Sequence, residues 1–438
     1  MGIDPLIQPS LCTGTQMKAR SGEWYYVLFL SLLGLYADVV VYGFQYPAGA
    51  DYNFFLPMAN WVRDPPLYPG DPIRDAFPHV QTFYWSVVVM LSRYYSTEHI
   101  LFGLFLITKL IFFGAVGLFV GVRVRNRLLG ACMVTAIALS GMLNSQPPIG
   151  GTITLDEISE HAALGLAIVL LAGVLLVEGR WRSAAIAAGL SVYVDALQFV
   201  HVLPAFALFA MLDWRERKRQ IVAAAVLGAG VFLPWFVHFH RTFLTNYPSD
   251  YIPALLIHYP LHITLRWTPV SQIIEAAIIL LATACVCFIA RGSELKIERR
   301  LELLGVSYLI IMLLGILAGW FWLTPSVARF MLPRADSLLI PYAFLLVQVY
   351  GANLLELRIV RRPATTCLLA VLAILLPLCI YLAALLLPAM ILWLDPQVRL
   401  ERFLRVFWND FGNPFPQSQS RGLRLNCAAS ESLLAFSF

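Results

Sequence analysis

The sequence predicts an all-α fold, a polytopic transmembrane helical bundle of about eleven membrane segments. Three observations predict it. Hydrophobic residues make up 59% of the 438-residue chain and charged residues only 13%, about half the charged share of a soluble domain. The apolar residues come in unbroken runs long enough to cross a bilayer, whereas a β-barrel would show short alternating segments. The basic residues sit in tight clusters between those runs, as topology signals do. The net charge of +5 is spread through the same clusters, so no nucleic-acid partner is expected.

Taken in order, residues 1–23 form a polar, cytoplasmic N-terminal segment, followed by a span over 24–44 that is too long for an ordinary signal sequence and reads as an uncleaved anchor. A long first outer loop, 45–98, follows. It contains GADYNFFLPMANWVRDPPLYPGDPIRDAFPH (49–79), where prolines and glycine specify successive turns around Asp51, Asp64, Asp71, Asp75, Arg63 and Arg74. Its last part, 78–94, is rich in aromatics and polar at both ends, which predicts an interfacial helix. Further spans are expected near 99–121, 128–144, 161–177, 219–238, 270–290, 301–322, 338–355 and 364–393. The stretch 183–212 is too long for one crossing, yet basic residues flank both ends (Arg180 and Arg182 before, Arg215, Arg217, Lys218 and Arg219 after). Two short helices meeting near Asp195 in a hairpin, both rooted on the cytoplasmic side, satisfy that pattern.

With the hairpin counted as two, the N-terminus lies inside and the C-terminus outside. The bundle runs over 24–393, and 394–438 is an extracytoplasmic tail, Ser/Gln/Asn-rich and partly disordered. Arg123, Arg125 and Arg127 then fall inside, as do Arg291, Lys296, Arg299 and Arg300, and Arg358, Arg361 and Arg362. The seven cysteines make no disulfide framework; five lie in apolar segments, where a buried small hydrophobe is the simplest reading.

The candidate functional residues divide by depth. Asp38 lies within the first span, where an ionisable side chain is either functional or paired, and Lys109 of the next span is its available partner. Asp51 lies just outside, accessible to water or substrate, or serving as a helix N-cap. Asp156 and Glu157 close a later outer loop (144–161), either as carboxylates for chemistry or as residues favouring a helix N-terminus. Arg241, Arg266, Arg329 and Arg334 stand in or beside outer loops, where arginine runs against the positive-inside tendency and calls for an anionic partner. Arginine suits bidentate binding of phosphate, and Arg63, Arg74 and Lys109 join this cationic set. His238-x-His240 and the His258/His262 pair read as interfacial rather than metal-binding, since Pro260 interrupts the second pair. The sequence names no cofactor and no metal site, and leaves room for a divalent cation.

An apolar first helix, a long acidic outer loop, an interfacial helix, a second helix and then short cytoplasm-rooted helices form an order that resembles the polyprenol-phosphate-sugar-dependent membrane glycosyltransferases, the GT-C superfamily. The resemblance spans roughly residues 20–395 as architecture. It implies transfer of a sugar from a polyprenyl-phosphate donor to a glycan, lipid or protein acceptor on the extracytoplasmic face, in a bacterial inner membrane, with an acidic residue of the first outer loop as base. Asp51 is the residue at that place. The Asp-Glu pair common there becomes Asp51-Tyr52, while Asp-Glu occurs at Asp156-Glu157. Such chemistry needs cations to hold the charge growing on the phosphate leaving group and a carboxylate for the acceptor hydroxyl. Two alternatives use the same residues differently: a transporter or lipid flippase working through Asp38, Lys109, Asp195 and Glu275, and a non-catalytic subunit of an envelope-assembly complex.

Overall fold

The computed structural model describes residues 21–46, 56–57, 82–124, 126–140, 143, 159–243, 252–253, 268–274, 276–277, 280, 284, 299–328 and 331–359. All of them fall within one compact unit, Met1–Met390. They are helical, with no strand among the described residues. In order, the elements are α1 (Ser21–Val41), α2 (Tyr84–Leu91), α3 (Thr97–Arg123), α4 (Arg127–Ala138), α5 (His161–Val177), α6 (Trp181–Val194), α7 (Ala196–Phe243), α8 (Arg299–Phe321), the single turn α9 (Pro325–Ala328), a 3₁₀ turn (Leu332–Ala335) and α10 (Asp336–Ile359).

Four described helices are long and apolar enough to cross a membrane: Glu23–Val41, Thr97–Arg123, Ala196–Phe239 and Arg300–Phe321. Their outer surfaces agree. Leu28, Phe29, Leu32, Tyr36 and Val40 on α1, Val226, Leu233 and Val237 on α7, and Leu313, Leu314 and Leu317 on α8 are all exposed. An apolar belt of that extent is stable only against lipid or a partner. Exposed aromatics bracket it, with Trp24, Tyr25 and Trp214 towards one end and Tyr94, Tyr95, Trp320 and Trp322 near the other ends of their helices, as interfacial anchors do.

α1 and α3 form an antiparallel pair. Val27 and Leu30 lie against Gly117, Gly34 against Phe113, and Asp38 against Lys109. Gly117 leaves room for this approach, because a Cβ there would stand 3.0 Å from the Val27 carbonyl. α5 is the central helix. Thirteen of its residues are buried, so it is apolar on every side and has no polar face to keep wet.

Five arginines gather at one end of the bundle. Arg123 pairs with Glu178 at 2.8 Å, and Arg300 pairs with Asp213 while donating to the Val177 carbonyl at 3.2 Å. Arg217 donates to the Gly179 carbonyl at 3.5 Å, Arg127 covers the Tyr26 ring, and Arg180 covers Trp24. Glu178 and Asp213, which the sequence reading passed over, hold this end together.

The expected hairpin is present as two helices that part at Asp195. α6 climbs from the arginine end. The first half of α7 returns to it and bends at Arg217, whose φ of −124° and ψ of 20° leave the helical region. The second half then climbs beside α6, with Tyr193 Oη donating to the Val231 carbonyl at 2.7 Å and Gly228 facing Ala185. Without that bend α7 would be about 70 Å long, twice a bilayer core. The sequence separated these two halves, and the kink at Arg217 falls between them. Two differences concern extent. The span expected over 128–144 is helical only to Ala138, 12 residues, too short to cross. The interfacial helix expected over 78–94 is the 8-residue α2, with Tyr84 and Trp85 buried against Ile100, Leu101 and Leu164. The span expected over 364–393 and the tail lie outside the described residues.

Candidate functional site

Asp38 and Lys109 form one ion pair, 2.9 Å between Nζ and Oδ2, with the side chains 0% and 1% exposed. Of the two readings open in the sequence, pairing is the one the structure contains. Lys109 also lies 5.1 Å from the centre of the Phe105 ring, adding a cation–π contact. Each charge is buried only because the other neutralises it. The pair closes the α1/α3 interface near the end opposite the arginines.

The connection between α1 and α3 starts from that end. Beyond α1, Tyr42 Oη donates to the Leu139 carbonyl at 2.9 Å, and the Phe44 ring packs at a tilt against Phe102 and Phe105. Burial, and then the Glu98 carboxylate, hold the Tyr46 phenol above its ordinary value of 10, so it is a neutral hydrogen-bonding group throughout the physiological range. Asp51, Arg63 and Arg74 lie outside the described residues. The returning end of the connection is fixed to the break between α6 and α7. Phe83 N donates to the Tyr193 carbonyl at 2.7 Å, and Thr82 Oγ1 donates to the Val194 carbonyl. Phe83 packs among Tyr193, His238 and Phe239, and Tyr84 Oη bonds to Ser159.

Asp195 makes the break. Its extended backbone (φ −148°, ψ 103°) ends α6. Its Oδ1 accepts from Leu197 N at 2.9 Å, capping the N-terminus of α7. The two freed carbonyls of α6 go to Thr82 and Phe83. Within a membrane that is the necessary accounting, since no water is present to satisfy them. One turn further along α7 stands Gln198, and one turn beyond that His201, all three on one face. Asp195 is 5% exposed and the other two 0%. His201 Nδ1 is 3.3 Å from Gln198 Oε1. Asp195 Oδ2, Gln198 Nε2 and His201 Nε2 have no hydrogen-bond partner. The Met331 backbone lies within hydrogen-bonding reach of the His201 ring, and the Arg334 guanidinium is close enough to act on it electrostatically.

Two glycines permit this crowding. A Cβ on Gly165 of α5 would stand 2.8 Å from Asp195 Cβ and 3.2 Å from Gln198 Cγ. A Cβ on Gly315 would stand 2.6 Å from the backbone of Leu332 and Pro333, so the chain after α8 folds back along that helix instead of continuing outward. Met331 makes the turn with a left-handed backbone (φ 42°, ψ 45°). The fold-back delivers Arg334 to the His201 side of the bundle, with buried Asp336 and Ser337 beginning α10.

Of the residues singled out in the sequence, the structure thus joins Asp38 to Lys109 and places Arg334 beside His201, near the helix break. Arg241 falls in the last turn of α7. Asp156, Glu157, Arg266, Arg329 and Glu275 lie outside the described residues. The sequence reading gave Asp195 as the place where two helices meet and as one residue of the transporter alternative. It singled out neither Gln198 nor His201. The signal was there, three polar residues at i, i+3 and i+6 in an apolar helix. Comparison with family models, with characterised proteins and with solved structures finds no match for this chain.

Two variants test this geometry. Lys109→Met removes the cation 2.9 Å from the buried Asp38 carboxylate and is expected to cost about 3–5 kcal/mol; the double variant Asp38→Leu/Lys109→Met is expected to recover most of it. Reversible unfolding in mixed micelles, followed by circular dichroism, reads both. Gly165→Val forces α5 away from Asp195 and is expected to cost about 1–3 kcal/mol through overpacking. The same substitution at Gly103, where a Cβ meets nothing within 4 Å, is expected to be silent in the same assay.

Proposed function

We propose that the chain is a membrane-embedded glycosyltransferase, moving a sugar from a polyprenyl-phosphate donor to an acceptor on the extracytoplasmic face. The observation that carries the proposal is the arrangement of its first unit. An antiparallel helix pair, α1 and α3, is pinned by a buried ion pair. The long acidic connection between the two helices leaves and returns at the end away from the arginine cluster. Its return is fastened, through Thr82 and Phe83, to a polar helix break. That arrangement supports the GT-C reading. With Asp38 neutralised by Lys109, Asp51 is the carboxylate of the first unit best suited to act as base. Arg334 is the favoured cation for the departing phosphate.

The remaining parts of the proposal follow from the same frame. The bundle has about eleven membrane segments. The arginine end is cytoplasmic by the positive-inside rule, which puts the N-terminus inside, the C-terminus outside and the connection on the extracytoplasmic side of a bacterial inner membrane. A divalent cation remains an option for donor binding.

A second reading has a specific observation in its favour. Discontinuous helices with polar side chains at the break are how transporters build sites in a bilayer, and Asp195, Gln198 and His201 form such a break. That reading makes the chain a carrier of a lipid or solute rather than a catalyst.

Sugar transfer from radiolabelled polyprenyl-phosphate sugars, in membranes with wild type or Asp51→Asn at matched expression, separates the two. The transferase reading expects transfer by wild type and a loss of about 10²–10⁴-fold in the variant, the usual contribution of a positioned base. Transfer that survives in the variant relocates the base to Asp156 or Glu157. An absence of transfer with every donor, together with movement of labelled lipid across proteoliposomes, establishes the carrier.

A further inference from the structure

Helix α7 descends to the arginine end, bends at Arg217 and climbs again. The limb from Ala196 to the bend covers about 30 Å, one hydrocarbon core, so the elbow lies at the depth of the lipid headgroups. The helix approaching the elbow has two faces. Val202, Ala205, Phe209 and Asp213 follow one another at i, i+3, i+7 and i+11, and all are buried against the bundle. Met211, Trp214, Arg215 and Lys218, at i, i+3, i+4 and i+7, form the opposite stripe, and all are exposed.

The two faces use their charges differently. Asp213 turns inward and takes Arg300 and, at 4.0 Å, Arg217. Arg215 and Lys218 make no ion pair with any described residue. Glu216, the acid next to them in sequence, falls outside the stripe. Lys218 Nζ lies 6.0 Å from the centre of the Trp214 ring, so the lysine and the tryptophan share one surface. Apolar side chains continue the stripe on both limbs. Met211, one turn before the cations, is 79% exposed, and Val222, one turn after them, is 46% exposed.

Two cations without a carboxylate, an interfacial tryptophan and lipid-facing apolar rows on either side form a pattern that one class of partner completes. A phospholipid of net negative charge sets its phosphate between Arg215 and Lys218 and lays its chains along Met211 and Val222. An acidic protein segment would meet the cations and leave the apolar rows uncovered. A zwitterionic lipid brings its own ammonium to the same place and gains less from them.

We propose that the exposed face of the α7 elbow, built by Met211, Trp214, Arg215 and Lys218, is a binding surface for the headgroup of an anionic phospholipid. The lipid neutralises the outer side of the elbow as Asp213 neutralises its inner side. This surface stands apart from the helix break and from any transfer chemistry, so its test needs no turnover.

The full-length protein is placed in nanodiscs of equal parts phosphatidylcholine and phosphatidylglycerol with matched acyl chains, and native mass spectrometry reads which lipids stay bound. Wild type is expected to retain phosphatidylglycerol over phosphatidylcholine by about ten-fold or more. Arg215→Gln/Lys218→Gln is expected to lower that ratio at least about three-fold. Arg93→Gln, which removes an exposed arginine beyond α2, is expected to leave it unchanged. Thermal unfolding identifies a double variant that fails to fold, and the single variants Arg215→Gln and Lys218→Gln then carry the comparison. Equal retention of the two lipids by wild type overturns the proposal and points to an acidic protein segment as the partner of the two cations. A ratio that holds in the folded elbow variants, or that falls as far in Arg93→Gln, overturns it as well, because the preference then belongs to net charge and not to the elbow.

Discussion

In a bilayer every backbone group must find its partner within the protein, and the break at Asp195 is where this chain meets that constraint most severely. Ending α6 in apolar surroundings frees carbonyls and starting α7 exposes amides, each of which would cost several kcal/mol if left bare. The chain meets both demands with three residues. The Asp195 side chain takes an amide of α7, and Thr82 and Phe83 take the carbonyls of Val194 and Tyr193. The last two belong to the connection between α1 and α3. The returning end of the acidic connection is therefore fixed by the requirements of a helix break over a hundred residues away. The aromatic packing of Phe83 against Tyr193 and Phe239 follows from that fastening.

Two buried polar groups among the described residues behave in opposite ways. Asp38 and Lys109 neutralise one another at 2.9 Å with almost no exposure, and a pair of that kind is insensitive to what happens elsewhere. Its value is registry. Slide α1 by one turn and the two buried charges no longer face each other, so the pair selects one alignment of α1 on α3. A hydrophobic pair of the same volume could be equally stable without that selectivity. The Asp195 cluster has no such internal closure. Asp195 Oδ2, Gln198 Nε2 and His201 Nε2 have no hydrogen-bond partner among the described residues, so the network does not close on itself.

Much of this was legible in the sequence, for physical reasons that also mark where legibility ends. Helix α5 occupies the expected 161–177, because nothing but a membrane or a deep core tolerates so long an apolar run. The break near Asp195 could be inferred because arginines flank both ends of 183–212, and charge fixes the side of the membrane before any packing is known. The Asp38–Lys109 pair was one of two open readings. Depth within the spans brought the residues together, but only packing could show that they meet. The shortness of α4 and the late start of α2 were not legible, since hydropathy measures suitability for lipid and not where a chain turns to cap a neighbour. Gln198 and His201 escaped for a similar reason. A hydropathy reading averages across a helix, and three polar residues on one face vanish into an apolar mean.

The same reasoning explains why glycine matters more here than the acidic loop that first draws the eye. In a soluble protein a polar cluster can be surrounded by water. In a bilayer it must be enclosed by helices, and enclosure demands close approach. Gly165 lets α5 lie directly over Asp195 and Gln198, and Gly315 lets the chain after α8 double back to bring Arg334 to His201. Neither residue carries chemistry. Each makes space within which chemistry-bearing side chains can converge, and small residues at helix contacts are the general means by which membrane bundles achieve this. The polar interior of this protein is thus a product of its smallest side chains as much as of its charged ones.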